Sequence, residues 1–390
     1  MCIVTFQWLS YRRFAYHVVL GCALFTASLA VAGAQRGAPT ARGDGANWSM
    51  FRGNPRLTGM AHAPLSKPLK VQWKSEIGEA ITSSAAIVDG VVYVGGDNAY
   101  LYALSLDGGS VKWKYQAKEM IRSSPTVIDG MVLFGDDDGM FHAVDTSTGK
   151  GRWTFQTAGE IISSANPRGD RVVFGSYDGF VYCLSLRAGK LLWKYETQGR
   201  VHGTPGIADD HVFVSGCDQY LRVLRLSDGN QVSNVPMGAV SGASPAIRGS
   251  TVFVGTYGSH VLAIDWKASK VVWDFTDPDR DFPIMSSVAI TDRSVIVGSR
   301  DKRLRSLNAE NGKMVWTFVT KGRIDGSPVV VDDRVFVGAA DGVLYEIDLQ
   351  TGKEVWRFEA GGAISASPAI AAGRLVIGTE GGVLYCFGSG

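Results

Sequence analysis

Tryptophans recur at a nearly constant interval along this chain of 390 residues. Steps of 40 residues separate the first four members of the series, Ser233 takes the fifth position, and the series resumes with one longer step of 43. The seven tryptophans of the series are Trp73, Trp113, Trp153, Trp193, Trp273, Trp316 and Trp356. A period of about 20–50 residues indicates one structural unit repeated along the chain, as in solenoids and propellers.

Each repeat consists of short apolar segments separated by tight turns. In the second repeat the segments lie at 123–128, 131–135, 140–144 and 153–155, and Asp129-Gly130 and Asp138-Gly139 mark two of the turns. Asp and Gly accept the positive φ angles of tight hairpins, so this pattern predicts antiparallel strands. Four such strands in about forty residues make one propeller blade.

The unit occurs eight times. Its first strands are predicted to begin near Thr82, Arg122, Ile162, His202, Gly242, Met285, Asp325 and Ser365. The eighth copy stops after its third strand, at 383–387, while residues 69–73 before the first copy have the sequence of a fourth strand. We therefore predict an all-β, eight-bladed β-propeller of four-stranded antiparallel blades, closed by the N-terminal strand completing the last blade. Closure pairs the strand edge that the incomplete eighth copy would otherwise leave exposed.

The N-terminus predicts export. Arg12 and Arg13 precede an apolar run over 14–32, and Ala32-Gly33-Ala34 is a small-x-small cleavage site, so residues 1–34 are predicted to be a signal peptide. A retained membrane anchor and a lipoprotein attached through Cys22 are the alternatives. Residues 35–68 are predicted to be a flexible lead-in and entry segment, and residues 69–390 the propeller. The predicted location is the periplasm.

Charge and cysteines exclude several classes of function. The chain has 39 Lys plus Arg and 37 Asp plus Glu, and loss of two arginines with the signal peptide leaves 37 of each. A neutral protein lacks the basic surface that nucleic-acid binding needs. Cysteine spacing matches neither haem attachment nor zinc binding. Cys183, Cys217 and Cys386 are predicted to be free thiols, because their repeat positions are too far apart for a disulfide.

The repeat resembles the PQQ-like, or quinoprotein-type, propeller family. That family's docking motif is matched in full by Ala143, Asp145, Thr148, Gly149, Lys150 and Trp153. Two repeats depart from it, with Ser233 in place of Trp and Ser269 in place of Gly. The resemblance implies that the seven tryptophans are structural and that each covers a neighbouring blade, where glycine allows close approach.

The family contains two functional classes. Its dehydrogenases hold pyrroloquinoline quinone and Ca²⁺ on large insertions that also carry adjacent cysteines, whereas its BamB-like members are non-catalytic scaffolds of outer-membrane protein assembly. This chain has no adjacent cysteines and its repeats leave little room for insertions. We therefore expect a monomeric protein-interaction scaffold of the cell envelope, without catalytic residues, cofactor or metal. A quinone-dependent oxidoreductase and a small-molecule or glycan sensor are the alternatives.

Two places are candidate sites. The loops at one end of the axis should bring polar side chains together, and the most informative departures from small residues there are Arg122, His202, Arg300 and Asp325, which form either a polar ligand site or a solvated rim. The longest loop, at 274–283, is acidic and contains two prolines and two phenylalanines, which suits a protein contact. Its candidate contact residues are Phe275, Asp279, Arg280 and Phe282.

Overall fold

The computed structural model describes residues 45–389, which form strands joined by turns and loops. The predicted signal peptide and residues 35–44 lie outside the described residues. The strands are, in chain order, β1 (Met60–Ala61), β2 (Lys70–Glu76), β3 (Ala86–Val88), β4 (Val91–Gly95), β5 (Tyr100–Ser105), β6 (Val111–Gln116), β7 (Thr126–Ile128), β8 (Met131–Gly135), β9 (Met140–Asp145), β10 (Gly151–Gln156), β11 (Asn166–Arg168), β12 (Arg171–Gly175), β13 (Phe180–Ser185), β14 (Leu191–Glu196), β15 (Gly206–Ala208), β16 (His211–Ser215), β17 (Tyr220–Arg225), β18 (Gln231–Pro236), β19 (Ala246–Arg248), β20 (Thr251–Gly255), β21 (Val261–Asp265), β22 (Lys270–Phe275), β23 (Ala289–Ile290), β24 (Ser294–Ser299), β25 (Arg303–Asn308), β26 (Met314–Val319), β27 (Val329–Val331), β28 (Arg334–Gly338), β29 (Val343–Asp348), β30 (Glu354–Glu359), β31 (Ala369–Ala371), β32 (Arg374–Gly378) and β33 (Val383–Gly388).

These strands form eight sheets, which are the eight predicted blades. Seven blades take four consecutive strands each, from β3–β6 as blade 1 to β27–β30 as blade 7, and β1 adds to blade 7 in parallel. Asp129 and Gly130 both have positive φ, at 48° and 71°, as a two-residue hairpin turn requires. The predicted fold class is confirmed.

Blade 8 is completed by the N-terminal strand. β31, β32 and β33 supply three of its strands, and β2 pairs antiparallel with β33, placing Trp73 opposite Cys386. Trp73 of β2, Phe387 of β33 and Leu104 of blade 1 belong to one buried apolar cluster, so the seam between blades 8 and 1 is packed like a domain core. The predicted closure by strand exchange is thereby confirmed.

The first strands begin four residues later than predicted, because the residues before them form a ring of hydroxyl groups. A buried serine or threonine of each blade accepts a hydrogen bond from the backbone N–H of its counterpart in the preceding blade, at 2.8–3.0 Å, and the last bond returns to the first blade. The members of this hydroxyl ring are Ser84, Ser124, Ser164, Thr204, Ser244, Ser287, Ser327 and Ser367.

Residues 45–61, which we call the N-terminal belt, contact all eight blades, in or directly after the innermost strand of each. Backbone bonds join Trp48 to Ile87 in both directions, and further belt carbonyls accept bonds from six other blades. Blade 3 has Pro167 at the position where other blades donate a backbone N–H, and the Asn166 amide donates to Pro55 instead, at 2.8 Å. The belt therefore closes a second ring around the axis, beyond the hydroxyl ring.

Most of the predicted docking tryptophans lie between neighbouring blades. Trp73, Trp193, Trp273 and Trp316 are buried and donate their indole N–H to a carbonyl of the next blade, at 2.7–3.2 Å. Trp113, which is half-buried, does the same at 2.9 Å. Trp153 and Trp356 are half-buried, and Trp356 packs edge-on against Phe387.

The two departures from the motif meet each other in space. Ser233 replaces the tryptophan of blade 4, Ser269 replaces the glycine on which it would lie, and their hydroxyl oxygens are 2.8 Å apart. Trp266 of blade 5 packs against His211 and Phe213 of blade 4, with ring centroids 4.7 and 5.5 Å apart. Blade 5 thus supplies, through Trp266, the aromatic ring that blade 4 lacks at the boundary between the two blades.

Within residues 45–389 no helix is long and apolar enough to cross a membrane.

Candidate functional site

The axial mouth consists of the loops at the end of the axis where the four polar rim residues were predicted to lie. In each blade the chain runs from the mouth residue to the hydroxyl ring and then to the strand that bonds the belt, so mouth and belt lie on opposite sides of the ring. In blade 1 the hydroxyl of Thr82 donates to Asp97 at 3.0 Å. Burial raises the pKa of Asp97, partly offset by that bond.

Arg122 forms the first ion-paired group of the mouth. Its guanidinium contacts Asp137 and lies 3.2 Å from a carboxylate oxygen of Glu160 in the next blade. Burial alone would lower the pKa of Arg122, but the hydrogen bond and charge of Asp137 raise it overall. Burial raises the pKa of Asp137 itself. The group is compact, with one guanidinium between two carboxylates.

His202 forms the second group. Its Nδ1 is 2.5 Å from the hydroxyl of Tyr177, which belongs to the preceding blade. Burial, together with the charge of Arg122, lowers the pKa of His202, and burial raises the pKa of Tyr177 to about 12. Both rings are therefore neutral at pH 7.

Arg300 and Asp325 form the third group across the boundary between blades 6 and 7. The Arg300 Nε donates to Asp325 at 2.8 Å, and Arg323 donates to the other oxygen of that carboxylate at 2.8 Å. The four predicted rim residues thus belong to three separate pairings. Each is engaged by a neighbour, which leaves the mouth polar but largely self-neutralised.

The side chains present do not fit a quinone–calcium centre. Calcium takes six to eight oxygen ligands, several of them carboxylates. Within residues 45–389 no three His, Cys, Asp or Glu side chains are grouped so that they could hold a metal ion. The mouth carboxylates Asp137 and Asp325 are instead bound by arginines.

On the opposite side of the ring lies the belt residue Arg52, which sequence reasoning left without a role. Arg52 is 1% exposed, and its guanidinium donates to the carbonyls of Pro328 and Val288 at 2.6 and 2.8 Å. Burial lowers its pKa to about 9. A Cβ on Gly59 would lie 1.9 Å from that guanidinium, so glycine is required there. A buried arginine therefore anchors the belt to blades 6 and 7.

The longest loop stands between blades 5 and 6 and is anchored by a buried arginine. Arg305 of β25 pairs with Asp301 and reaches Asp277 of the loop at 2.7 Å. Burial would raise the pKa of Asp277, but the bond and charge of Arg305, the backbone N–H of Asp279 and the charge of Arg280 together lower it overall. The loop is consequently held at its base.

The four predicted contact residues of this loop differ in exposure. Phe282 is 44% exposed and Asp279 is also exposed, whereas Phe275 and Arg280 are half-buried. Phe275 packs into the apolar cluster shared by blades 5 and 6, so it supports the loop from below and is not part of the surface that a partner would contact. All but Asp279 line a shallow pocket that also contains Arg305.

The three cysteines of the described residues are free thiols. Cys183 and Cys386 are buried within blades, and burial raises the pKa of each to about 12. Cys217 is half-buried at the mouth, and burial also raises its pKa. Thiols with raised pKa values are poor nucleophiles.

Solved structures similar to this chain fall into both functional classes. BamB from Moraxella catarrhalis superposes with a TM-score of 0.72 at 20% identity, covering 82% of this chain and 100% of that one. Quinohemoprotein alcohol dehydrogenase from Comamonas testosteroni superposes with a TM-score of 0.75 at 12% identity, covering 88% and 80%. At such identities the likeness shows the fold alone.

A curated relative matches one part of the sequence. The quinohemoprotein alcohol dehydrogenase ADH IIB of Pseudomonas putida is 28% identical over 93 residues, which are 22% of this chain. The chain spans 13% of the length of that relative.

A family model covers the whole propeller. The family described as outer membrane protein assembly factor BamB matches residues 69–168, 158–280 and 276–389. These segments together include every blade and the strand that closes the ring. The chain therefore belongs to the BamB family of PQQ-like propellers.

Proposed function

We propose that this protein is an exported, non-catalytic propeller that acts as a protein-interaction scaffold in envelope protein assembly. Membership of the BamB family supports this function. The structural observation that carries it is the loop between blades 5 and 6, which presents Phe282 on a base fixed by the Arg305–Asp277 ion pair. An exposed aromatic on a rigid support can bind a protein without a large ordering cost.

The test is affinity capture from a detergent extract of the cell envelope with the full chain. The variant Asp279→Ser with Phe282→Ser removes the presented groups but keeps the Asp277 anchor. Gln198→Ala, exposed in the corresponding loop of blade 3, is the control. We expect defined envelope proteins with the wild type and the control, and their loss from the loop variant. Equal capture by all three proteins would contradict the role of the loop.

The second candidate is a quinone-dependent oxidoreductase, which the partial match to an alcohol dehydrogenase favours. The protein would be incubated with pyrroloquinoline quinone and Ca²⁺ and assayed for the quinone absorption band and for dye-linked alcohol oxidation. Within residues 45–389 no three carboxylate, His or Cys side chains are grouped so that they could hold Ca²⁺, so we expect neither a bound quinone spectrum nor turnover. Alcohol-dependent dye reduction would overturn the non-catalytic proposal.

A further inference from the structure

The outer strands of the blades are edge strands, and seven of the eight are protected. An edge strand exposes unpaired backbone groups, and proteins block unwanted pairing there with charged residues or proline. The outer strands of blades 1, 2, 3, 5, 7 and 8 each carry at least one charged side chain, and that of blade 4 ends in Pro236. The outer strand of blade 6, β26, reads Met-Val-Trp-Thr-Phe-Val and has neither.

The exposed side of β26 is also unusually apolar. Trp316 and Phe318 face blade 7, where Trp316 bonds a carbonyl and Phe318 packs on Tyr345. The alternate residues Val315, Thr317 and Val319 point the other way. Val319 and Val315 are 59% and 56% exposed, the highest values among the large apolar side chains of residues 45–389. All three residues are β-branched, which favours strand pairing.

The edge of β26 is open for hydrogen bonding. The sheet order in blade 6 is β23-β24-β25-β26, and within the described residues no strand pairs with the outer side of β26. A partner segment in extended conformation would satisfy its free N–H and C=O groups and cover the valines in one step.

The acidic loop lies beside the same side of the strand. Arg305 is directly opposite Thr317 in the β25–β26 register, and its guanidinium binds Asp277 at the base of the loop. Asp279 and Asp281 are exposed on that loop, close to Phe282 in sequence. An edge with apolar side chains therefore continues into a patch of negative charge.

We propose that the outer edge of β26 is the docking site of an extended segment of a protein partner, which adds to blade 6 as a fifth strand. The segment that fits carries β-branched apolar residues against Val315 and Val319, and a Lys or Arg at the end that meets Asp279 and Asp281. The proposal rests on the scaffold function proposed above and specifies its binding surface.

Blade 2 provides a matched control for the test. Thr154 and Thr317 occupy the same position of their outer strands, and both are exposed. Lysine is the natural residue at that position in blades 1, 3 and 8. Thr317→Lys therefore gives blade 6 a protected edge of a kind that this fold already tolerates, and Thr154→Lys makes the same change elsewhere.

The probe is a fluorescent peptide of alternating valine and threonine with two lysines at one end. Its binding to the full chain is measured by anisotropy. We expect Thr317→Lys to weaken binding at least about tenfold and Thr154→Lys to leave it unchanged, because only the first blocks strand addition at blade 6. N-methylation of alternate peptide amides should abolish binding by the wild type, and replacing the lysines by glutamates should weaken it.

Other results would overturn the proposal. Equal binding by the two lysine variants, or binding that survives N-methylation, would mean that the peptide does not add to β26. A wild-type dimer in analytical ultracentrifugation that Thr317→Lys dissociates would identify a second copy of this chain as the occupant. If Thr317→Lys captures the same envelope proteins as the wild type, the docking site at β26 is refuted while the scaffold function stands. If the wild type captures no envelope protein, the scaffold function itself is refuted.

Discussion

Thr204 offers a direct test of the hydroxyl ring. Thr204→Val replaces its hydroxyl with a methyl group of similar size, so volume and β-branching are kept. The Thr204 hydroxyl accepts the backbone N–H of Ser164 at 3.0 Å, and both residues are buried. The substitution leaves that N–H without an acceptor. Such a loss costs about 1–3 kcal/mol, because the donor remains desolvated without a partner.

The control is Thr204→Ser, which keeps the hydroxyl and removes a methyl group. Serine occupies the equivalent position in the other seven blades, so we expect a loss below about 1 kcal/mol. The assay is equilibrium unfolding in urea followed by far-ultraviolet circular dichroism, with hydrogen exchange of the Ser164 amide as a local measure. Exchange of that amide should accelerate in the valine variant only.

The opposite ranking would refute the reasoning. If Thr204→Val is as stable as the wild type while Thr204→Ser is destabilised, the site is held by packing of the methyl group. The N–H···O bonds of the ring would then contribute little to stability.

Three further predictions concern packing, thiols and closure. Gly189→Ala should lower the free energy of unfolding by about 1–3 kcal/mol more than Gly169→Ala does. The two glycines have similar φ angles, +63° and +60°, but only a Cβ on Gly189 would meet a ring, at 2.4 Å from Trp153. Equal losses of unfolding free energy in urea would contradict this. Titration of the denatured, unreduced protein should find the thiols of Cys183, Cys217 and Cys386 free, and a lower count among these three would show a disulfide. Removal of residues 1–76 should cause aggregation by exposing the edge of β33, whereas removal of residues 1–44 should leave the melting temperature nearly unchanged; equal melting of the two would contradict closure by β2.

The sequence predicted the fold because the same signals recur in every repeat. A Trp at a fixed interval and Asp-Gly turns define the strands, and the complementary ends of the repeat region identify the closing strand. The hydroxyl ring had a signal of its own, a Ser or Thr at about the same interval at 84, 124, 164 and onward. Its meaning depends on neighbouring blades facing the axis together, which the sequence of one repeat does not show.

The belt and the mouth were harder to anticipate for different physical reasons. The belt binds through its own carbonyl groups, which every sequence possesses, so no side-chain pattern indicates it. The rim residues were predicted to meet at one end of the axis, but the ion pairs of Arg122 with Glu160 and of Arg300 with Asp325 join different blades. Such pairings depend on side-chain reach across a blade boundary. Likewise Phe275 was grouped with Phe282 by sequence, although only the second is exposed.

The two closures also set an order of events for the newly made chain. The belt and β2 are synthesised before the blades, yet their final partners include β33 and the last repeat, and the ring bond from Ser367 to Ser84 spans 283 residues. Contacts this distant in sequence form slowly and late. The closing strand β2 must therefore stay unpaired until the last repeat has been made. A chain that ends early, within the eighth repeat, lacks few residues. It should nevertheless leave both β2 and the remaining strands of blade 8 without their partner.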